Sequence, residues 1–269
     1  MLMSPRTAIL FNLFDGFMGH ATVTARKGTV LAEPRRSRNV WLVITQIYTA
    51  QTPAEATALA GLGVDHVGVT VSARGLPGEV GMETGQAIAR ALRETGARCV
   101  ALTVDTDLAA IEDFVAMLRP DIVHLCGDVD LVGPAQVAEL REWIDSVGID
   151  VEIMQAIPVS GTESIELAAR FARHSDWLIL DSVTDDVEGI GAAGVTHDWN
   201  LSKQIVEAVE VPVILAGGLG PDNVSEAIGR VRPAGVDSLT RTNRPGPDGA
   251  FTKDLDAVAA FVEQARLTN

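Results

Sequence analysis

The stretch Val211-Pro-Val-Ile-Leu-Ala-Gly-Gly-Leu-Gly-Pro-Asp-Asn-Val224 decides the fold. Its apolar run, interrupted only by Pro212 and closed by a glycine pair, reads as a short strand buried on both faces. Gly217 and Gly218 lack a Cβ, so the chain can turn sharply there and approach a ligand closely. Pro221-Asp-Asn223 then opens a helix, with Asp222 or Asn223 as cap and Val224, Ala227, Ile228 and Val231 as its apolar face. A strand that ends in glycines and feeds a helix start offers free N–H groups to an anion. The same residues also serve as an ordinary tight βα turn, so the rest of the chain has to decide.

Outward from this unit the pattern repeats. Strand-length apolar runs fall at 40–48, 65–72, 98–105, 121–128, 150–159, 177–182, 211–218 and 236–242. Helical periodicity fills the gaps at 53–62, 84–95, 108–118, 134–147, 164–174, 201–209, 223–231 and 255–267. Each crossover is long enough to hold a helix, which makes the pairing parallel. Eight such units close most economically as a (β/α)8 TIM barrel spanning 40–269, with functional groups at the strands' C-terminal ends. The alternative is a doubly wound open sheet, but no G-x-G-x-x-G follows the first strand. Residues 1–39 form an N-terminal extension with a possible hairpin turn at Arg26-Lys-Gly28 and a basic linker at Arg35-Arg-Ser-Arg38. Such an extension would cover one barrel end or contact another subunit.

Bulk properties narrow the function. The 269 residues carry a formal charge of −15 and a pI near 4.7, which argues against nucleic acid or an anionic membrane as partner. Cys99 and Cys126, both inside apolar runs, suit a reduced cytoplasmic protein without disulfides. No run approaches the length of a membrane span, and Ala8–Phe14 is too short and too polar for a signal peptide. The only lysines are Lys27, Lys203 and Lys253; none lies on a barrel strand, which disfavours Schiff-base chemistry.

At the strand ends, Asp181 stands out, delivered to the barrel mouth by Trp177-Leu-Ile-Leu180. Apolar walls raise a carboxyl pKa, so Asp181 is a candidate general acid near neutral pH, or else a cap or ion-pair partner. His124 is a spare general base if strand alternation points it inward, or otherwise a buried core histidine. No ligand spacing resembles a zinc signature. Asp198 reads as the N-cap of the helix that follows.

Several segments together resemble phosphoribosylanthranilate isomerase: Leu180-Asp-Ser182, Gly194-Val-Thr-His-Asp-Trp199, Pro212-Val-Ile-Leu-Ala-Gly-Gly-Leu219 and Pro221-Asp-Asn-Val224. Val123-His-Leu-Cys-Gly-Asp128, Gly235-Val-Asp237 and Lys253-Asp254 add to the likeness, which covers 40–269. The resemblance implies a (β/α)8 barrel that performs an Amadori rearrangement of an aminoaldose phosphate in tryptophan biosynthesis, without metal or organic cofactor. It implies a cysteine base ending the first strand and an aspartate acid ending the sixth, the latter carried over to Asp181. It places Gly217 and Gly218 in the phosphate site, and Ser72-Ala-Arg74 matches the segment that brings an arginine near the substrate.

Two positions depart from the pattern. Tyr48 stands where the cysteine base belongs, and Gln46 replaces the motif's lysine. A phenol with pKa near 10 is only about 0.1% ionised at pH 7, so Tyr48 needs a nearby cation to act as base. After the eighth strand, Arg241 replaces a glycine in the phosphate loop, where its guanidinium could grip an anion. The expectation is therefore an isomerase-like enzyme for a small phosphorylated sugar or amino-sugar. Asp181, Tyr48 and His124 would be its catalytic candidates, and Arg74, Asp105, Gly217, Gly218, Thr240, Arg241 and Asn243 its binding candidates. A homodimer is a further expectation. The alternatives are a non-catalytic phosphometabolite-binding barrel, or a hydrolase or lyase using His124 and Asp181.

Overall fold

A computed structural model describes residues 42–182 and 197–267. The expected hairpin and basic linker of the extension lie outside the described residues. Eight strands alternate with eight helices: β1 (Ile44–Ile47), α1 (Pro53–Gly61), β2 (His66–Thr70), α2 (Met82–Leu92), β3 (Arg98–Thr103), α3 (Leu108–Leu118), β4 (Ile122–Leu125) and α4 (Pro134–Val147) make the first half. The second half is β5 (Glu152–Pro158), α5 (Glu163–Phe171), β6 (Trp177–Asp181), α6 (Trp199–Ala208), β7 (Val213–Leu215), α7 (Val224–Val231), β8 (Gly235–Ser238) and α8 (Leu255–Leu267). All neighbours pair in parallel, and β8 returns to β1 to close the ring, with Gln46 opposite Asp237. This is the (β/α)8 barrel that the alternating pattern predicts.

Local chemistry sets the helix ends. Thr52 caps α1 by accepting from the Glu55 N–H at 3.1 Å, with Pro53 preorganised just inside the start. Asp198 caps α6 through the Asn200 N–H, as expected. At α7 the outcome differs from a simple cap. Asn223 occupies the cap position, but its side chain turns back, accepting from Gly220 N at 2.8 Å and donating to Gly218 O at 3.1 Å. It braces the glycine turn instead of the helix.

Apolar burial falls into two shells. The larger lies between strands and helices and includes Ile47, Leu59, Ile111, Leu140, Phe171 and Phe261. The smaller fills the barrel interior with Val100, Ile122, Met154, Ile179 and Ile214. At the N-terminal ends of the strands the interior is plugged by polar groups that satisfy one another. Trp177 Nε1 donates to Glu152 at 2.5 Å, Arg98 pairs with Glu152 at 2.8 Å, and His66 meets the Trp177 ring edge-on at 5.2 Å. Burial lowers the His66 pKa to about 3, so it sits there neutral.

The connection after β8 departs from the expected strand over 236–242. The strand stops at Ser238, Thr240–Thr242 makes a 3-10 turn, and β9 (Asn243–Pro245) pairs antiparallel with β10 (Phe251–Lys253). This hairpin is fastened to the start of the barrel. Gln51 Nε2 donates to Phe251 O at 2.9 Å, Lys253 N donates to Glu55 at 3.0 Å, and the Lys253 ammonium donates to the Tyr48 carbonyl. Among the described residues no helix is long and apolar enough to cross a membrane.

Candidate active site

A pocket at the C-terminal end of the barrel is lined by Asp181, Gly217, Gly218, Leu219, Asp237, Ser238, Leu239 and Thr240. Three strands build it. β6 ends on Asp181, the turn after β7 supplies the glycines, and β8 supplies Asp237 and the residues that follow. Gly217 and Gly218 have φ of 86° and 60°, a left-handed backbone in which a Cβ is strained. A Cβ on Gly217 would also lie 2.8 Å from His197 Nδ1 and 3.2 Å from Ser182 Oγ. The chain therefore needs glycine at 217 on two counts. Ser238 Oγ donates to Leu219 O at 2.7 Å and ties β8 to the glycine turn.

Two carboxyls share this pocket. Burial raises the Asp181 pKa to about 7, against the pull of the Ser182 N–H that donates to Oδ1 at 2.7 Å. Asp237 is raised as well, first by burial and then by the Asp181 charge, while the Gln46 amide and the Lys253 ammonium pull it back down. Asp237 is 7% exposed, and its Oδ1 accepts no hydrogen bond from any described residue. Sequence reasoning did not single out Asp237. The signal that finds it is period-2 alternation along β8, which sets it on the inward face with Gly235.

The sign of these shifts has a consequence for stability. A carboxyl whose folded pKa is raised contributes stability that is complete below its unfolded value near 3.8 and lost as pH rises through the folded value. The barrel is thus expected to lose about 4 kcal/mol through Asp181 between pH 4 and pH 8.5, with a further loss through Asp237. Urea unfolding across that range measures it. Asparagine at 181 or 237 should flatten the slope and leave the protein more stable at the alkaline end.

The remaining candidates take other positions. Tyr48 is buried just beyond β1, its ring lying where a Cβ on Gly68 would be, only 2.3 Å from the nearest ring carbon. Its hydroxyl lies 2.8 Å from His124 Nδ1, and His124 Nε2 lies 3.0 Å from Cys126 Sγ. Burial pushes Tyr48 and Cys126 up and His124 down to about 3, so all three are neutral at pH 7. Burial is the main cause for Tyr48, and Cys126, Asp237 and Cys99 push its phenol up further. Arg74 pairs with Asp105, bridging the ends of β2 and β3 at an exposed rim. Arg241 is held by Asp222, with Nη1 at 2.9 and 2.7 Å from its two carboxylate oxygens. Thr240 lines the pocket, whereas Asn243 instead accepts from Lys253 Nζ at 2.5 Å. Lys253 lies off the barrel strands, as its sequence position implies, yet its ammonium reaches the barrel mouth. Burial lowers it to about 7, while Glu55 and Asp237 support the charged form. Among the described residues no group of three His, Cys, Asp or Glu is placed to hold a metal ion.

The sequence model of N-(5'-phosphoribosyl)anthranilate isomerase matches residues 46–264, from within β1 to within α8. The chain belongs to that family. The isomerase from Methanocella arvoryzae is 33% identical over 81% of this chain and 95% of its own length. The structure of the Thermotoga maritima isomerase superposes with a TM-score of 0.65 at 25% identity, covering 83% of this chain and 98% of that one. Another solved isomerase, 23% identical with a TM-score of 0.64 over 83% of this chain and 98% of that one, holds reduced 1-(o-carboxyphenylamino)-1-deoxyribulose 5-phosphate. The resemblance read from the strand-six and strand-seven motifs thus holds for the family and the fold. Tyr48, the residue that the resemblance sets against the family's thiol, is a buried, hydrogen-bonded phenol.

Proposed function

We propose that this chain converts N-(5'-phosphoribosyl)anthranilate, an aminoaldose phosphate, into the corresponding aminoketose phosphate, with Asp181 as general acid. The observation that carries the reading is one pocket uniting a carboxyl of raised pKa with a left-handed glycine turn at the start of a helix. An acid with pKa near 7 is protonated often enough to give its proton to the sugar ring oxygen, yet releases it readily. The amides around Gly217, Gly218 and Thr240, with the start of α7 beyond them, suit a phosphate. A net charge of −15 makes such a local amide site necessary, because the protein as a whole repels anions. Arg74, paired with Asp105 at the rim, would meet the substrate's carboxylate in this reading. Two copies of the chain form the working assembly in this proposal.

Genetic complementation tests the reading. Supplied to cells that lack this isomerase, the chain should restore growth without tryptophan, and Asp181→Asn should not. Failure of the intact chain, with the reduced ketose phosphate still bound, would favour the non-catalytic binding barrel.

A further inference from the structure

The proposed rearrangement needs a group to take the proton from C2 of the sugar, and the end of β1 does not supply one. Tyr48 is committed to His124, walled in by Gly68, and neutral. His124 has both ring nitrogens engaged, by Tyr48 and Cys126. Cys126 is 2% exposed and lines no part of the pocket that holds Asp181.

Asp237 does line it. We infer that Asp237 is the catalytic base of this isomerase, acting across the pocket from Asp181; the inference rests on the reading of the reaction given above. The buried Oδ1 without a donor is the first support, since an unpaired buried oxygen is costly and is retained where it serves chemistry. Proximity to Asp181 is the second: two carboxyls in one buried pocket share a single proton, and the Gln46 amide and the Lys253 ammonium beside Asp237 favour its ionised form, which leaves the proton to Asp181. The groups facing Asp237 are Asp181 from β6, Lys253 from β10, Gln46 and Tyr48 from the first strand and its end, and Cys126 from the end of β4. Lys253 is the only cation among them, placed to balance the charge that Asp237 carries before it acts.

The proton ledger closes within the pair. Asp181 gives its proton to the ring oxygen as the C1–O bond breaks toward oxygen, and the nitrogen lone pair forms the C1=N bond. Asp237 takes the C2 proton; the C–H electrons form C1=C2, and the C=N pair returns to nitrogen. Ketonisation then moves the O2 proton to Asp181 and the Asp237 proton to C1, restoring the starting pair.

The test compares Asp237→Asn, Asp237→Glu, Tyr48→Phe and Cys126→Ser with wild type in turnover of N-(5'-phosphoribosyl)anthranilate and in binding of its reduced ketose phosphate. Asp237→Asn should lower kcat about 10²–10⁴-fold, the usual worth of a general base, with binding of the reduced ligand nearly unchanged. Asp237→Glu should recover part of the loss, and substrate deuterated at C2 should show a larger isotope effect in both variants. An active wild type with Asp237→Asn within about fivefold of it overturns the inference and leaves the proposed function standing. So does a loss confined to Tyr48→Phe or Cys126→Ser. If Asp237→Asn does not fold, Asp237→Glu decides alone, and an unchanged kcat and isotope effect overturn the proposal. An inactive wild type removes both readings together.

Discussion

Asp181→Asn is expected to lower turnover of N-(5'-phosphoribosyl)anthranilate by about 10²–10⁴-fold while the reduced ketose phosphate still binds. The asparagine side chain matches the carboxyl in shape, and its oxygen can still accept the Ser182 N–H that Asp181 holds at 2.7 Å. What it lacks is a proton near pKa 7 to hand to the sugar ring oxygen. The pH profile adds an independent reading. With one proton shared by Asp181 and Asp237, activity should fall on the acid side as both become protonated and on the alkaline side as both ionise, giving a bell whose limbs belong to the pair. Stopped-flow turnover across pH 5–9 checks the shape. A rate that climbs without limit toward high pH would contradict an acid with its pKa near neutrality.

The largest effect on stability is expected at Gly68. An added methyl meets three atoms of the Tyr48 ring at 2.3 to 2.4 Å, and the ring is packed inside a closed barrel with its hydroxyl bonded to His124. Gly68→Ala should therefore cost about 3 kcal/mol, the upper part of the usual range for overpacking, because ring, imidazole and thiol must shift together. Urea unfolding of the variant measures it. In a Tyr48→Ala background the same substitution should cost less than about 1 kcal/mol, since the obstructing ring is gone. Equal costs in both backgrounds would mean that the strand, and not the tyrosine, rejects a side chain at this position.

The architecture was legible because each of its eight units repeats one physical pattern. α3, α4 and α8 match their expected spans residue for residue, and the other helices agree to within three residues at either end. Asp181 was legible for a similar reason: four apolar residues leading to one carboxyl leave little else for that carboxyl to do than face the barrel mouth. The β9–β10 hairpin was hidden by Pro245, Gly246, Pro247 and Gly249, which break strand periodicity within a few residues. Lys253 gave no sign of burial, because its ammonium reaches the site through a fold of the chain that local sequence does not encode. The Tyr48–His124–Cys126 chain was half visible. Alternation could turn His124 inward, but only the closed ring brings it within 2.8 Å of a side chain 76 positions earlier. Arg241 shows the limit of reading by substitution alone. A guanidinium in place of a glycine suggested a grip on the ligand, and the fold pairs it with Asp222.

The bonds from Gln51, Glu55 and the Tyr48 carbonyl to residues 251–253 join parts of the chain separated by about two hundred positions. On the ribosome, Asp181 emerges long before the partner segment that pins the rim, and Asp237 precedes that segment by only a short length. A nascent polypeptide thus carries Asp181 well ahead of any enclosure in which its carboxyl can be selective. Catalytic competence should arrive abruptly, when the final hairpin latches onto the opening strand, and not accumulate as successive units are made.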